Sequence, residues 1–143
     1  MKVNVNGAEW IEIYAGVMMY GTCILSVMQT EDGVEVTYSA APDGYNGETK
    51  TKKYEAKSMT PLLEKISESE FTITPDEENN NSYISDTDSD KPSEWCVTFG
   101  KGEDVICDIS GIALDDETLI TILNVMKKAF PFVKTSDNFF DIA

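Results

Sequence analysis

Alternating aspartates within residues 86–90 are the residues whose type and spacing come nearest to a known chemistry. They match the first three ligand positions of an EF-hand calcium loop, where carboxylate oxygens bind the ion. The match ends there, because Lys91 and Pro92 follow where the sharp glycine turn belongs, and Val97 stands where a bidentate glutamate belongs. We therefore predict no metal site and interpret this stretch as a solvated acidic loop.

Nucleophilic and acid–base chemistry are equally poorly supported. The chain has no histidine, which excludes a Ser–His or Cys–His couple and any zinc site that uses imidazole. Asp104 and Asp108 have no evident partner and are interpreted as solvated strand positions. The three cysteines show neither CxxC spacing nor a disulfide framework, which predicts free thiols in a reducing, cytoplasmic protein. The sequence predicts no enzyme, no catalytic residue and no cofactor.

Net charge gives the strongest functional indication. With 26 acidic and 11 basic residues, the chain carries −15 at pH 7. Such a chain is repelled by nucleic acid and by anionic membranes, so neither is expected as a direct partner, whereas a basic protein is complementary. We expect a small acidic protein-interaction domain of bacterial or phage type, such as an immunity or inhibitor protein for a basic partner. Solubility alone is the simpler reason for the charge.

Two other functions are compatible with the sequence. A small-ligand-binding domain would need a pocket between sheet and helices, for which Tyr14, Tyr20, Tyr38 and Trp95 are candidates, although core packing is the expected fate of each. A DNA mimic needs carboxylates at phosphate spacing on rigid elements. It is disfavoured, because many acids lie in the loop region 76–94. A plain globular protein with neither property also fits the composition.

Candidate partner-binding residues lie on two segments, an acidic loop and the C-terminal tail. Residues 75–93 form a predicted mobile acidic loop with too few apolar residues to fold by itself. Residues 131–143 form an aromatic C-terminal tail, which either packs back on the domain or contacts a partner or second copy. We expect a monomer or a weak homodimer. The assigned residues are Tyr83, Asp86, Asp88, Asp90, Phe139 and Phe140.

The whole chain, residues 1–143, is predicted to form a single α+β domain. Its antiparallel sheet is built from hairpins, and two helices, at about 61–69 and 116–130, pack on one face. The second helix has Asp115 as its expected N-cap, ends before Pro131 and leaves Ile120 exposed. Its apolar face recurs with a period of 3.6 residues and comprises Leu119, Ile122, Leu123, Met126 and Phe130.

Two hairpins are predicted in detail. In the first, Asp32-Gly33 forms the turn between strands 22–30 and 34–41, which sets Gln29 opposite Val36 and Leu25 opposite Ala40. In the second, strands 95–99 and 104–109 share an apolar face, which separates Cys96 from Cys107 and excludes a disulfide between them. The expected pairs of this hairpin are Trp95 with Ile109, Val97 with Cys107 and Phe99 with Val105.

The remaining segments give shorter predictions. Asn6-Gly7 predicts a hairpin that pairs Val3 with Trp10. Residues 8–20 fit strand or helix, and strand is favoured because β-preferring residues cluster there. Residues 51–56 suit an edge strand guarded by lysines, and 70–74 a short strand. Thr60 is the expected cap of the first helix. We expect no signal peptide and no membrane-spanning segment.

Overall fold

A computed structural model describes residues 2–17, 21–41, 48–55, 57–71, 82–84, 95–111, 117–130, 133–135 and 140–142. These residues form an α+β fold with an antiparallel sheet and two helices, as the sequence predicts. In chain order the elements are β1 (Trp10–Val17), β2 (Gly21–Gln29), β3 (Gly33–Ala41), β4 (Glu48–Glu55), α1 (Thr60–Glu68), β5 (Ser82–Ile84), β6 (Trp95–Lys101), β7 (Asp104–Gly111), α2 (Glu117–Ala129), β8 (Val133–Thr135) and β9 (Phe140–Ile142).

Strand β1 is the centre of the fold. Seven strands form one sheet in the order β4-β3-β2-β1-β6-β7-β5, and every pairing in it is antiparallel. The segment whose sequence fits either strand or helix is therefore a strand from Trp10 to Val17. Strand β4 lies at one edge, where Lys50, Lys52 and Lys53 were predicted to guard it. Charged side chains at such an edge oppose pairing with another chain.

One face of the sheet is the core face. Residues paired directly across antiparallel strands point to the same side, so the buried positions identify this face. The buried sides of both helices belong to the same core cluster as the buried residues of the sheet, and the packing of both helices on one face stays a prediction. The buried residues of the sheet are Ile11, Ile13, Ala15, Cys23, Leu25, Val27, Val34, Val36, Tyr38, Trp95, Val97, Phe99 and Ile109.

Both helices bury the side chains that their periodicity predicts. In α2 the five predicted apolar residues are buried and Ile120 is 44% exposed. The proposed cap Asp115 lies outside the described residues. In α1 the core side comprises Leu62, Leu63 and Ile66, but the predicted cap at Thr60 is wrong. Met59 is the N-cap and Thr60 is already helical, and the Thr60 backbone N–H donates to the Ser58 hydroxyl at 3.1 Å.

The two predicted hairpins exist, but each pairs two residues away from its predicted register. In β2–β3, Gln29 pairs with Val34, since the Thr30 N–H donates to the Gly33 carbonyl at 2.7 Å and moves the turn to Glu31 and Asp32. In β6–β7 a bulge at Phe99/Gly100 shifts the pairing and leaves Val105 57% exposed rather than on the core face. The observed pairs are Trp95 with Gly111, Val97 with Ile109 and Phe99 with Cys107.

The N-terminal segment turns where predicted but does not form a hairpin. Gly7 has φ of +90°, and the Ala8 N–H donates to the Val5 carbonyl at 3.2 Å, which closes the expected turn. Residues 2–5 are not a strand, however, so the predicted pairing of Val3 with Trp10 is wrong. The Val5 N–H instead donates to the Ser67 hydroxyl at 3.0 Å, which ties this segment to α1.

The predicted loop and tail contain short strands. Ser82–Ile84 forms β5 beside β7, and the rest of 75–93 lies outside the described residues, so mobility of that loop stays a prediction. In the predicted strand 70–74, Glu70 and Phe71 are not β-structure and the others lie outside the described residues. In the tail, β8 pairs with β9, and Cα atoms of β9 come within 8 Å of β2.

Neither α1 nor α2 has the length and apolar character needed to cross a membrane, and the described residues contain no other helix.

Candidate functional site

The face of the sheet opposite the core, here called the outer face, carries an exposed apolar row. Cross-strand pairing brings Met28 next to Trp10, Trp10 next to Gly100, and Gly100 next to Val105. Met28 is 53% and Val105 57% exposed, whereas Trp10 is half-buried. Large apolar side chains next to each other on a surface indicate an interaction site more strongly than isolated ones do. We call these four residues the apolar row.

Trp10 is held in one position by its neighbours. Its indole N–H donates to the Gly102 carbonyl at 2.9 Å, across the turn that joins β6 to β7. Its ring covers Gly100, where the absence of a side chain leaves space for it. Two backbone hydrogen bonds fix the start of β1. The Glu9 N–H donates to the Gly100 carbonyl, and the Gln29 N–H donates to the Glu9 carbonyl, at 2.8 Å each. The indole is therefore positioned before any partner arrives.

Carboxylates border the apolar row at one end of the sheet. The start of β1, the β2–β3 turn and the β6–β7 turn meet at this end, because neighbouring strands are antiparallel. Lys101 lies among these acids as the cross-strand neighbour of Asp104. The five exposed carboxylates form what we call the acidic rim: Glu9, Glu31, Asp32, Glu103 and Asp104.

Polar side chains occupy the middle of the outer face. Thr37 and Thr51 hydroxyls are 3.4 Å apart across β3 and β4. On β6–β7, one Asp108 carboxylate oxygen accepts two hydrogen bonds, one from the Cys96 thiol at 2.6 Å and one from the Thr98 hydroxyl at 3.2 Å. Asp108 is half-buried, so its interpretation as a plain solvated position is wrong. This cluster could have been predicted from the correct register of β6 and β7, which sets Thr98 directly opposite Asp108.

Cys96 is a poor nucleophile in this setting. Burial, together with the hydrogen bond to Asp108, raises the pKa of its thiol to about 11, since that carboxylate favours the protonated donor. Burial, with the Asp108 charge, also raises the pKa of Cys107. The thiolate is the reactive form of cysteine, and both groups hold their proton at neutral pH. None of the three cysteines forms a disulfide, as predicted, and the described residues contain no cluster of three metal-ligating side chains.

The sequence-based partner-binding residues are mostly not brought together by the described structure. Tyr83 lies in β5 opposite Ser110, and Phe140 lies in β9 opposite Thr135. Asp86, Asp88, Asp90 and Phe139 lie outside the described residues. Their role in partner binding therefore stays a prediction.

The aromatic residues considered for a ligand pocket do not converge either. Tyr14 lies on the outer face, whereas Tyr38 and Trp95 are buried in the core, and Tyr20 lies outside the described residues. The described surface has open clefts elsewhere, of about 450 Å³ beside Gln29 and Met59 and about 340 Å³ beside Lys2 and Glu68. Neither contains one of these aromatic side chains.

Sequence reasoning missed the apolar row and the acidic rim. The sequence-based prediction did not include the pairing of β1 with β2, and this pairing is what places Met28 next to Trp10. Among known proteins, no family model, curated protein or solved structure matches this chain. The interpretation of the surface therefore depends on its own chemistry.

Proposed function

We propose that this chain is an acidic protein-interaction domain that binds a basic protein through the apolar row and the acidic rim. The observation that supports this proposal is the exposure of Met28 and Val105, on either side of Trp10, next to five exposed carboxylates. Protein interfaces combine an apolar centre with a polar rim, and tryptophan is enriched among their energetically dominant residues. The arrangement on the outer face has both parts.

Charge adds speed and selectivity to this contact. A net charge of −15 attracts a basic protein over several ångströms and orients it before contact. Complementary charge raises the association rate more than it raises the affinity of the final complex. A domain with these properties suits the role of an immunity or inhibitor protein, which must reach and cover a basic target quickly. We propose that role for this chain, with a basic enzyme as the target.

The first part of the experiment identifies the partner and measures how its binding depends on salt. Proteins captured on the immobilised chain are purified, and their binding is measured at about 0.1 M and about 1 M salt, between which the screening length falls from about 10 Å to about 3 Å. We expect a basic partner whose affinity falls steeply over this interval. A dominant partner that is neutral or acidic, or one whose binding ignores salt, would contradict the proposal.

The second part locates the surface with a matched pair of variants. The rim variant carries Glu9→Gln, Glu103→Gln and Asp104→Asn, and the control carries Glu64→Gln, Glu68→Gln and Glu117→Gln on exposed positions of the helices. Both variants remove three negative charges, so long-range attraction by net charge is equal. We expect the rim variant to associate more slowly and bind more weakly than the control. Equal losses in both would show that the partner does not bind at the rim.

A further inference from the structure

We infer that Trp10 anchors the partner and that the partner presents an arginine to it, an inference that depends on the proposed binding of a basic protein. Trp10 lies between Met28 and Gly100 in the apolar row, with Glu9 preceding it and Glu12 two residues further along the same face. Both glutamates are exposed. Trp10 thus has one glutamate next to it in the chain and another on its own face of the sheet, on a surface that attracts cations.

The indole needs no rearrangement to bind. Its N–H is already hydrogen-bonded to the Gly102 carbonyl at 2.9 Å, and its ring is seated over Gly100. A side chain fixed before binding loses little conformational entropy on binding, so more of the contact energy appears as affinity. The same N–H is unavailable for a new hydrogen bond. The ring system is therefore the part of Trp10 that would contact the partner protein.

Arginine fits this combination better than lysine does. A guanidinium is planar, stacks on an aromatic ring and donates two parallel hydrogen bonds to a carboxylate. An ammonium is a compact, strongly hydrated charge that satisfies a carboxylate but stacks poorly. Trp10 and Glu12, on the same face of β1, offer both contacts to one arginine, whereas the acidic rim alone offers hydrogen bonds without stacking.

The test compares decapeptides of arginine and of lysine, which carry equal charge, by titration at low salt. We expect the arginine peptide to bind about fivefold more tightly, the ratio that one cation–π contact at a partly exposed site supports. Trp10→Leu should remove this preference while leaving salt-dependent binding of both peptides. Glu117→Gln, at an exposed position of α2, serves as the control and should keep the preference.

Fluorescence of the unaltered chain keeps the test decisive should the Trp10→Leu variant fail to fold. Trp10 is half-buried and Trp95 is fully buried, so acrylamide quenching reports Trp10. The arginine peptide should protect Trp10 from the quencher, and the lysine peptide should protect it less. Equal affinities with equal protection would overturn the arginine inference and leave the proposed function standing. Absence of binding by both peptides would overturn the two together.

Discussion

The indole of Trp10 lies over the backbone of its cross-strand neighbour Gly100, and a Cβ atom at Gly100 would overlap the ring. The core face repeats the arrangement, because Trp95 covers Gly111, its neighbour across β6 and β7. An aromatic side chain packed on a strand glycine compensates for the contacts that the glycine lacks. Each tryptophan therefore requires a glycine at one position of the adjacent strand.

Gly100→Ala should destabilise the fold by about 1–3 kcal/mol, because the added methyl group displaces the indole of Trp10 and breaks its bond to the Gly102 carbonyl. Urea unfolding measures the change, and tryptophan emission should shift to longer wavelength as the ring enters water. Gly102→Asn is the control. Gly102 has φ of +59° and open space around it, a conformation that asparagine tolerates, so stability should change little. Equal stability of Gly100→Ala and the unaltered chain would contradict the packing argument.

Gln29→Ala should lower the free energy of unfolding by about 1–2 kcal/mol and increase local opening at the start of α1. The Gln29 side-chain Oε1 accepts a hydrogen bond from the Met59 N–H at 2.8 Å, and the Gln29 Nε2 donates to the Gly33 carbonyl at 2.6 Å. Hydrogen exchange at the Met59 amide should accelerate in this variant. Thr30→Val is the matched control, since it removes only the hydroxyl that bonds Gly33 and should leave Met59 exchange unchanged. Unchanged exchange in Gln29→Ala would refute the link to the helix.

Lys57→Met should destabilise the protein by about 1 kcal/mol. The Lys57 Nζ donates to the Ala129 carbonyl at 2.9 Å at the C-terminal end of α2. It also lies 4.6 Å from the ring centroid of Tyr54 and 5.3 Å from that of Phe130. Thermal unfolding measures the loss. Lys65→Met, at an exposed position of α1, removes the same charge and should change stability by less than about 0.5 kcal/mol.

Alkaline pH should destabilise the protein partly through Cys96. Its pKa is about 11 in the folded protein against an ordinary value of 9.0. Between these two values the unfolded thiol has lost its proton and the folded thiol has kept it, so the free energy of unfolding falls as pH rises. Below pH 9 this contribution is fully present. Cys96→Ser should therefore show a shallower decline than the unaltered chain over this interval, measured by urea unfolding at successive pH values. Parallel declines would contradict the assignment.

Hydrophobic alternation predicted the faces of the hairpins correctly except at Val105, beyond the bulge, but it did not predict their registers. A period of two residues specifies which side of the sheet a residue occupies, and a slip of two residues leaves that side unchanged. Both observed registers differ from prediction by two. In β2–β3 the Thr30 hydroxyl and the Gln29 side-chain amide both donate to the Gly33 carbonyl at the turn, and these contacts depend on side-chain geometry that composition does not encode.

Helices were the most predictable elements because their signals are local. The α2 stripe from Leu119 to Phe130 and the buried Leu62, Leu63 and Ile66 of α1 follow from spacing alone. The candidate site was not predictable in this way. It depends on the contact of β1 with β2 and β6, and the latter joins Trp10 to Gly100, which are far apart in sequence. Pairings of this kind are decided by tertiary packing rather than by local pattern.

Strand order has a consequence for how the chain folds during synthesis. The meander β1–β4 consists of neighbours in sequence, whereas the second edge of β1 pairs only with β6, which begins at Trp95. As the ribosome releases the chain, β1 must therefore wait as an open edge until Trp95 and the residues of β6 that follow it have emerged. Pairings distant in sequence slow folding, so closure of β6 onto β1 is the expected rate-limiting event and the stage most exposed to aggregation.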